Sequence, residues 1–97
     1  MINNFSYDKY LIETLRDPSE AAGYLNAVLE EGDVRSFLEA LRNVVKAQGG
    51  VTQLSDKAHR SRTSLYKTLS ATGNPYLKNT NEILHAMGLQ LTVTAQS

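Results

Sequence analysis

Apolar residues recur at intervals of three and four along most of the chain, a spacing that places them on one face of a helix. The inward-facing sets predicted in this way are Tyr10, Leu11 and Leu15; Ala21, Ala22, Leu25, Val28 and Leu29; Phe37, Leu38, Leu41, Val44 and Val45; and Ile83, Leu84 and Met87. Helix-ending signals separate these sets, namely Asp17-Pro18, Gly32-Asp33, Gly49-Gly50 and Gly88. We therefore expect an all-α protein of about five to six helices.

A chain of 97 residues that is 41% hydrophobic has material for one compact core, so residues 1–97 are predicted to form a single domain. Its parts are expected to be N-terminal helices in residues 1–48, a helix-turn-helix in residues 51–70 and a C-terminal helix in residues 79–88. A short C-terminal β-strand is predicted over residues 89–95.

Residues 51–70 have the layout of a helix-turn-helix, in which two short helices meet at a tight turn. Thr52 is placed to cap the first helix and Ser61 the second, because their hydroxyls accept hydrogen bonds from the free N–H groups of a first helical turn. Leu65 and Leu69, four residues apart, would then face the core. The opposite face of the second helix would be free to enter a DNA groove.

The same segment carries a local excess of positive charge. Lys57, Arg60, Arg62 and Lys67 stand against one acid, Asp56. Binding to phosphates requires such an excess. The pattern therefore favours a nucleic-acid partner for this part of the chain.

The charges of the whole chain cancel but divide unequally. Residues 1–33 hold seven acids and two bases, and carry minus five; residues 34–97 hold eight bases and three acids, and carry plus five. This division indicates a basic face for nucleic acid and an acidic face for a different partner. An ordinary solvated helix surface is the alternative explanation for the acidic part.

The tail from Leu89 to Ala95 alternates apolar and polar residues and is rich in β-branched ones, which is the period of a half-buried strand. A strand needs a partner, and that partner could be the same strand of a second copy. Leu89, Leu91 and Val93 are the predicted dimer contacts. Pairing with residues 4–6, or a frayed end, are the alternatives.

Several function classes are not expected. The chain has no cysteine, which excludes disulfides and thiolate metal sites. It shows no phosphate-binding loop, zinc-protease motif or nucleophile elbow, and His59 and His85 have no acid-base pattern around them. We therefore expect neither an enzyme nor a cofactor or metal site. Without an apolar run of membrane-spanning length or a signal-peptide pattern, a cytoplasmic protein is the default expectation.

A set of fragments spread over most of the chain carries a family resemblance. They are Tyr24-Leu25-Asn26, Leu29-Glu30-Glu31-Gly32-Asp33, Phe37-Leu38, Ala40-Leu41, Thr52-Gln53-Leu54, Ser61-Arg62, Ser64-Leu65-Tyr66-Lys67, Leu69-Ser70, Gly73-Asn74-Pro75 and Met87-Gly88-Leu89. In order and spacing they resemble the helix-turn-helix addiction-module antidote proteins, the antitoxin partners of RelE/ParE-type toxins. The resemblance implies a λ-repressor-like fold, operator DNA as a ligand, a toxin as a partner, and repression of its own operon.

If the motif works as such motifs do, the start and outer face of its second helix meet the bases. The predicted DNA-binding residues are Thr52, Gln53, Arg60, Arg62, Thr63, Tyr66, Lys67 and Lys78. Arg62 suits a guanine and Lys67 a phosphate, whereas Tyr66 has the alternative of packing on the fold with its hydroxyl in water. The predicted toxin-binding acids are Asp17, Glu20, Glu30, Glu31 and Asp33.

Two positions depart from the family pattern. His59 stands where such proteins usually have a turn glycine, so it must tolerate a positive φ. Arg60 stands where an aliphatic residue is usual, so its stem must lie on apolar surface with the head in water. These departures keep open the alternative of a helical interaction module that has lost DNA binding. A helix-turn-helix transcriptional regulator without a toxin partner is a further alternative.

Overall fold

The computed structural model describes residues 4–70 and 75–96, and these residues form six helices. They are α1 (Asn4–Thr14), α2 (Pro18–Glu31), α3 (Val34–Ala47), α4 (Gly50–Ala58), α5 (Arg62–Leu69) and α6 (Leu77–Ala86). The prediction of a helical protein with about five to six helices is confirmed for this part of the chain. Residues 71–74, which lie between the predicted helix-turn-helix and the predicted C-terminal helix, are outside the described residues.

The boundary between α2 and its neighbours follows the predicted capping signals. Asp17 caps α2 by accepting a hydrogen bond from the N–H of Ser19 at 2.9 Å, and Pro18 occupies the first helical position, where its missing N–H costs nothing. Gly32 ends α2 in the left-handed conformation, with φ of 79°. Asp33 then caps α3.

Helix α3 lies at the centre of the fold and packs against α1, α2, α4 and α5. All five of its predicted inward residues are buried, as are Ile83, Leu84 and Met87 at the end of the chain's last helical segment. Two predicted inward residues are instead largely exposed, Tyr10 on α1 and Leu29 near the end of α2. The exposure of Leu29 becomes important below.

Helix α1 is attached to α3 at one end. Leu15, just after α1, is fully buried in the core. The Gln48 side-chain amide, just after α3, donates hydrogen bonds to the carbonyl oxygens of Leu15 at 2.9 Å and Arg16 at 3.0 Å. These carbonyls follow a helix end, where no intrahelical donor is available, so Gln48 supplies the missing partner.

The end of α6 fixes the direction of the tail. Gly88 has a φ of 77° and donates to the carbonyl of His85 at 3.0 Å, while the N–H of Leu89 donates to the carbonyl of Leu84 at 2.8 Å. This pair of bonds is the Schellman motif, which reverses the chain after a helix. The helix itself starts slightly earlier than predicted, at Leu77.

The predicted C-terminal strand is wrong for this structure: described residues 89–96 form no strand. Leu89 and Leu91 are half-buried and pack on the core, in a groove that they share with Leu25 and Phe37. The alternation of apolar and polar residues in the tail therefore reflects the packing of Leu89 and Leu91 on the helices, and not the pairing of a strand. Residues 4–6, the alternative partner, belong to α1, and Val93 is 99% exposed.

Candidate nucleic-acid interface

Helices α4 and α5 are separated by a turn of three residues, 59–61, so the chain bends where the sequence predicted. Ser61 caps α5, because its hydroxyl oxygen accepts a hydrogen bond from the N–H of Ser64 at 3.1 Å. The two helices contact each other and also pack on α3. The bend at Ser61 and its cap are therefore confirmed.

The start of α4 differs from the prediction. Gly49 is the N-cap residue and the helix begins at Gly50, so Thr52 lies within the first turn rather than at the cap. Gly49 and Gly50 have φ values of 111° and 88°, which a glycine adopts without steric cost. These two glycines reverse the chain within two residues of the end of α3. Helix α4 therefore begins at Gly50, earlier than a cap at Thr52 would place it.

Helix α5 has one buried face and one solvent-exposed face. Leu65 and Leu69 are buried against the core. The other face carries Arg62, Thr63, Tyr66 and Lys67, all of them exposed. At 62% exposed, Tyr66 is not a core residue, and its ring extends the outer face. The structure therefore brings four of the predicted DNA-binding residues together on one surface.

The turn places His59 in the left-handed conformation, with φ of 55° and ψ of 42°. Among residues 4–70 and 75–96, it is the only non-glycine residue with positive φ. The N–H of Arg60 donates to the carbonyl of Ser55 at 3.3 Å, and the Ser55 hydroxyl donates back to the Arg60 carbonyl. The position does need the conformation that a glycine would supply.

Arg60 is turned towards α6. Its guanidinium forms an ion pair with Glu82, donates to the side-chain oxygen of Asn79 at 2.8 Å, and contacts the Ser64 hydroxyl at 3.4 Å. The hydrogen bond from Arg60 holds the pKa of Glu82 below its ordinary value. Arg60 was predicted with the DNA-binding residues, but its charged head ties the turn to α6.

A groove of about 370 Å³ joins the outer face of α5 to the start of α4. Tyr66 lines it on one side and Gly50 and Val51 on the other. Thr52 and Gln53 are exposed beside it, in the first turn of α4, where backbone N–H groups favour an anion. The predicted phosphate-binding end of α4 therefore borders the predicted base-reading face.

Two cations that the sequence interpretation missed, Arg42 and Lys46, line the same groove. They lie four residues apart on α3, a spacing that puts them on one helix face and was visible in the sequence. Arg42 donates to the carbonyl of Leu69 at 2.5 Å, at the C-terminus of α5, and Lys46 is exposed. The remaining predicted cation, Lys78, is exposed in the first turn of α6.

The five predicted partner-binding acids are exposed but have different surroundings. Asp17 and Asp33 are helix caps, and Glu20 is in the first turn of α2, where the helix dipole favours an acid. The Ser36 hydroxyl and the N–H of Arg35 donate to Asp33 and lower its pKa. Glu30 and Glu31 are the last two residues of α2, where the dipole opposes them.

A sequence model described as "Probable addiction module antidote protein" matches residues 2–95. The chain belongs to this antidote family. A protein of Haemophilus influenzae (strain ATCC 51907 / DSM 11121 / KW20 / Rd) named "Uncharacterized protein" is 36% identical over 81 residues, which are 84% of this chain and 82% of that protein. No solved structure matches. Membership of an antidote family implies a toxin partner in general, and a regulatory rather than catalytic role.

Two further observations concern the described residues. None of their helices is both long and apolar enough to cross a membrane. No three histidine, aspartate or glutamate side chains among them are grouped so that they could hold a metal ion.

Proposed function

We propose that this antidote-family protein is the DNA-binding antitoxin of a type II toxin-antitoxin module. In this proposal it neutralises a RelE/ParE-type toxin by direct binding in the cytoplasm, and it represses its own operon as a dimer. The motif of α4 and α5 acts as a λ-repressor-like helix-turn-helix, with α5 as the recognition helix. The function is binding, with no catalytic step and no cofactor.

The observation that carries the DNA-binding part is the outer face of α5. Arg62, Thr63, Tyr66 and Lys67 are exposed on it, directly after the bend at Ser61. Within the described residues, the side chains of Arg62 and Lys67 form no ion pair. Cations that are not neutralised internally are available to phosphates and base edges.

The groove and its rim support a division of roles. The N-terminal residues of recognition helices contact base edges, which favours Arg62 and Thr63 for sequence readout. Lys67, Lys46 and Lys78 are suited to phosphates, as are Thr52 and Gln53 at the start of α4. Arg60 is left out of the proposed contacts, because its guanidinium is already bound to Glu82 and Asn79.

A mobility-shift titration against the region upstream of the gene tests the proposal at two salt concentrations. Arg62→Ala should cost roughly 1–3 kcal/mol with the operator and relax its sequence preference, and Lys67→Ala should lower the salt slope by about 1. Lys9→Ala, an exposed cation on α1, is the matched control and should bind as the wild type does. Weak binding without salt dependence would instead favour the interaction module that has lost DNA binding.

We propose a dimer because a single helix-turn-helix contacts few base pairs. A two-fold dimer binds two half-sites of the operator at once. Val93 and the exposed residues beyond it remain available for this contact. Removing all of residues 89–97 would also uncover the core under Leu89 and Leu91, so truncation after Leu91 is the sharper test. We expect a folded monomer with weakened operator binding; an unchanged dimer in sedimentation would place the dimer contact elsewhere.

A further inference from the structure

An apolar hollow lies at the corner between α2 and α3. It has a volume of about 160 Å³ and is lined by Leu29, Gly32, Asp33, Val34, Phe37 and Pro75; we name it the Leu29 hollow. Leu29 is 43% exposed and Val34 56% exposed. Exposed apolar side chains gathered in one concavity are typical of a binding surface.

One acid lines the hollow and two more are adjacent to its lining residues in the sequence, with Arg35 as the base that acts on Asp33. Glu30 and Glu31 follow Leu29 directly, and Asp33 lines the hollow itself. The hydrogen bonds from Ser36 and Arg35 hold the pKa of Asp33 below its ordinary value, so this carboxylate stays charged at neutral pH.

Helix stability does not explain Glu30 and Glu31. At the C-terminus of α2 they face the negative end of the helix dipole, where cations are favoured. Neither forms an ion pair or a side-chain hydrogen bond in the described part of the chain. Asp17 and Asp33, by contrast, cap their helices. The two glutamates thus lower helix stability slightly, and no ion pair in the described residues neutralises their charge, one and two residues along the chain from Leu29.

We propose that the Leu29 hollow is the docking site for a cationic segment of the toxin, which inserts an apolar side chain between Leu29 and Val34 and pairs its bases with Glu30 and Glu31. This proposal rests on the proposed toxin partner and specifies where that partner binds. Charge complementarity selects the occupant. DNA would be repelled by the acids, and a two-fold contact with a second copy would set the same acids against each other.

Two variants remove the two halves of the site separately. Val34→Glu removes the apolar contact but keeps the acidity, and a glutamate in the first turn of α3 is favoured by the helix dipole. Glu30→Lys with Glu31→Lys reverses the charge and improves the end of α2. Both variants are therefore expected to fold, and operator binding in the mobility-shift assay reports that they do.

The matched controls lie on α1. Tyr10→Glu removes an exposed apolar side chain of similar accessibility, and Asp8→Lys with Glu13→Lys reverses two exposed acids of that helix. Comparison of each variant with its control separates loss of the site from a general change in charge or exposed apolar area.

The probe is a purified RelE/ParE-type toxin, titrated calorimetrically into this protein. We expect each site variant to weaken binding at least about tenfold, with the controls unchanged. Toxin that binds the wild type and both site variants equally overturns the docking site and leaves the proposed function standing. Toxin that does not bind the wild type overturns both. A change in oligomeric state caused by Val34→Glu alone would assign the hollow to self-association, also against the proposal.

Discussion

The outer face of α5 and the corner between α2 and α3 carry opposite charges and are built in different ways. On α5 the exposed residues Arg62 and Lys67 stand above buried leucines, so the helix is held rigidly while it presents its cations. At the corner, Leu29 and Val34 are themselves exposed and the acids sit at a helix end that does not favour them. The face of α5 is thus suited to binding because buried leucines hold its cations in place, and the corner because its apolar side chains are left exposed.

The largest expected effect tests the anchoring of α5. Leu65 is fully buried, so Leu65→Ala should lower the free energy of unfolding by about 2–5 kcal/mol through lost burial and a residual cavity. Leu29→Ala at the exposed corner should cost less than about 1 kcal/mol. Guanidinium unfolding measures both; similar losses would show that Leu29 is a structural residue and would weaken the contrast between the two regions.

A smaller effect of opposite sign is expected at the turn. His59 has a φ of 55°, which a residue with a Cβ adopts only at a cost. His59→Gly should therefore raise the free energy of unfolding by roughly 0.5–1 kcal/mol in urea. His59→Ala is the control and should give no such gain, because alanine keeps the Cβ. If His59→Gly is instead destabilising, the imidazole contributes contacts that outweigh the backbone strain.

The smallest effects are pH-dependent and compare Asp33, at the corner, with Glu82 of α6, which pairs with Arg60 in the turn before α5. Hydrogen bonds lower the pKa of Glu82 below 4.5 and that of Asp33 below 3.8. A lowered pKa in the folded state gives stability that is present above the ordinary pKa and lost as the pH falls through the lowered one. Both groups are exposed, so the contributions are small.

Urea unfolding of Glu82→Gln and Asp33→Asn against pH measures these contributions. The wild type should exceed Glu82→Gln in stability near neutral pH, and this margin should vanish in acid. The margin over Asp33→Asn should be smaller, because asparagine is also a good helix cap. A margin that persists unchanged at the lowest pH would mean that the ionised carboxylate is not its source.

Local signals in the sequence were sufficient where a short segment decides the structure. Residues within one or two helical turns determine three of the features that were predicted correctly. These are the buried apolar face of α3, the caps Asp17 and Ser61, and the glycine at the end of α2. The positive φ at His59 was anticipated from the family resemblance, because proteins of that kind usually have a glycine at this position of the turn.

The sequence was insufficient where distant residues meet. Nothing near Arg60 indicates Glu82 or Asn79, which lie about twenty residues away, so its predicted outward direction was not reliable. The strand prediction for the tail was wrong because alternating apolar residues indicate only which side chains are buried. Leu89 and Leu91 are partly buried against helices, in a groove lined by residues of α2, α3 and α6, and not against a neighbouring strand. The groove beside Arg42 and Lys46 also exists only once three helices are assembled.

The attachment of α1 has a consequence for local opening. The fully buried Leu15, the partly buried Leu11 and Ile12 and the amide of Gln48 hold this helix, whereas α3 is covered by four helices. The free energy needed to detach α1 is therefore well below that of global unfolding. We therefore expect the described residues 4–16 to open and close as a unit, in native-state hydrogen exchange, while the cationic helix and the acidic corner keep their geometry.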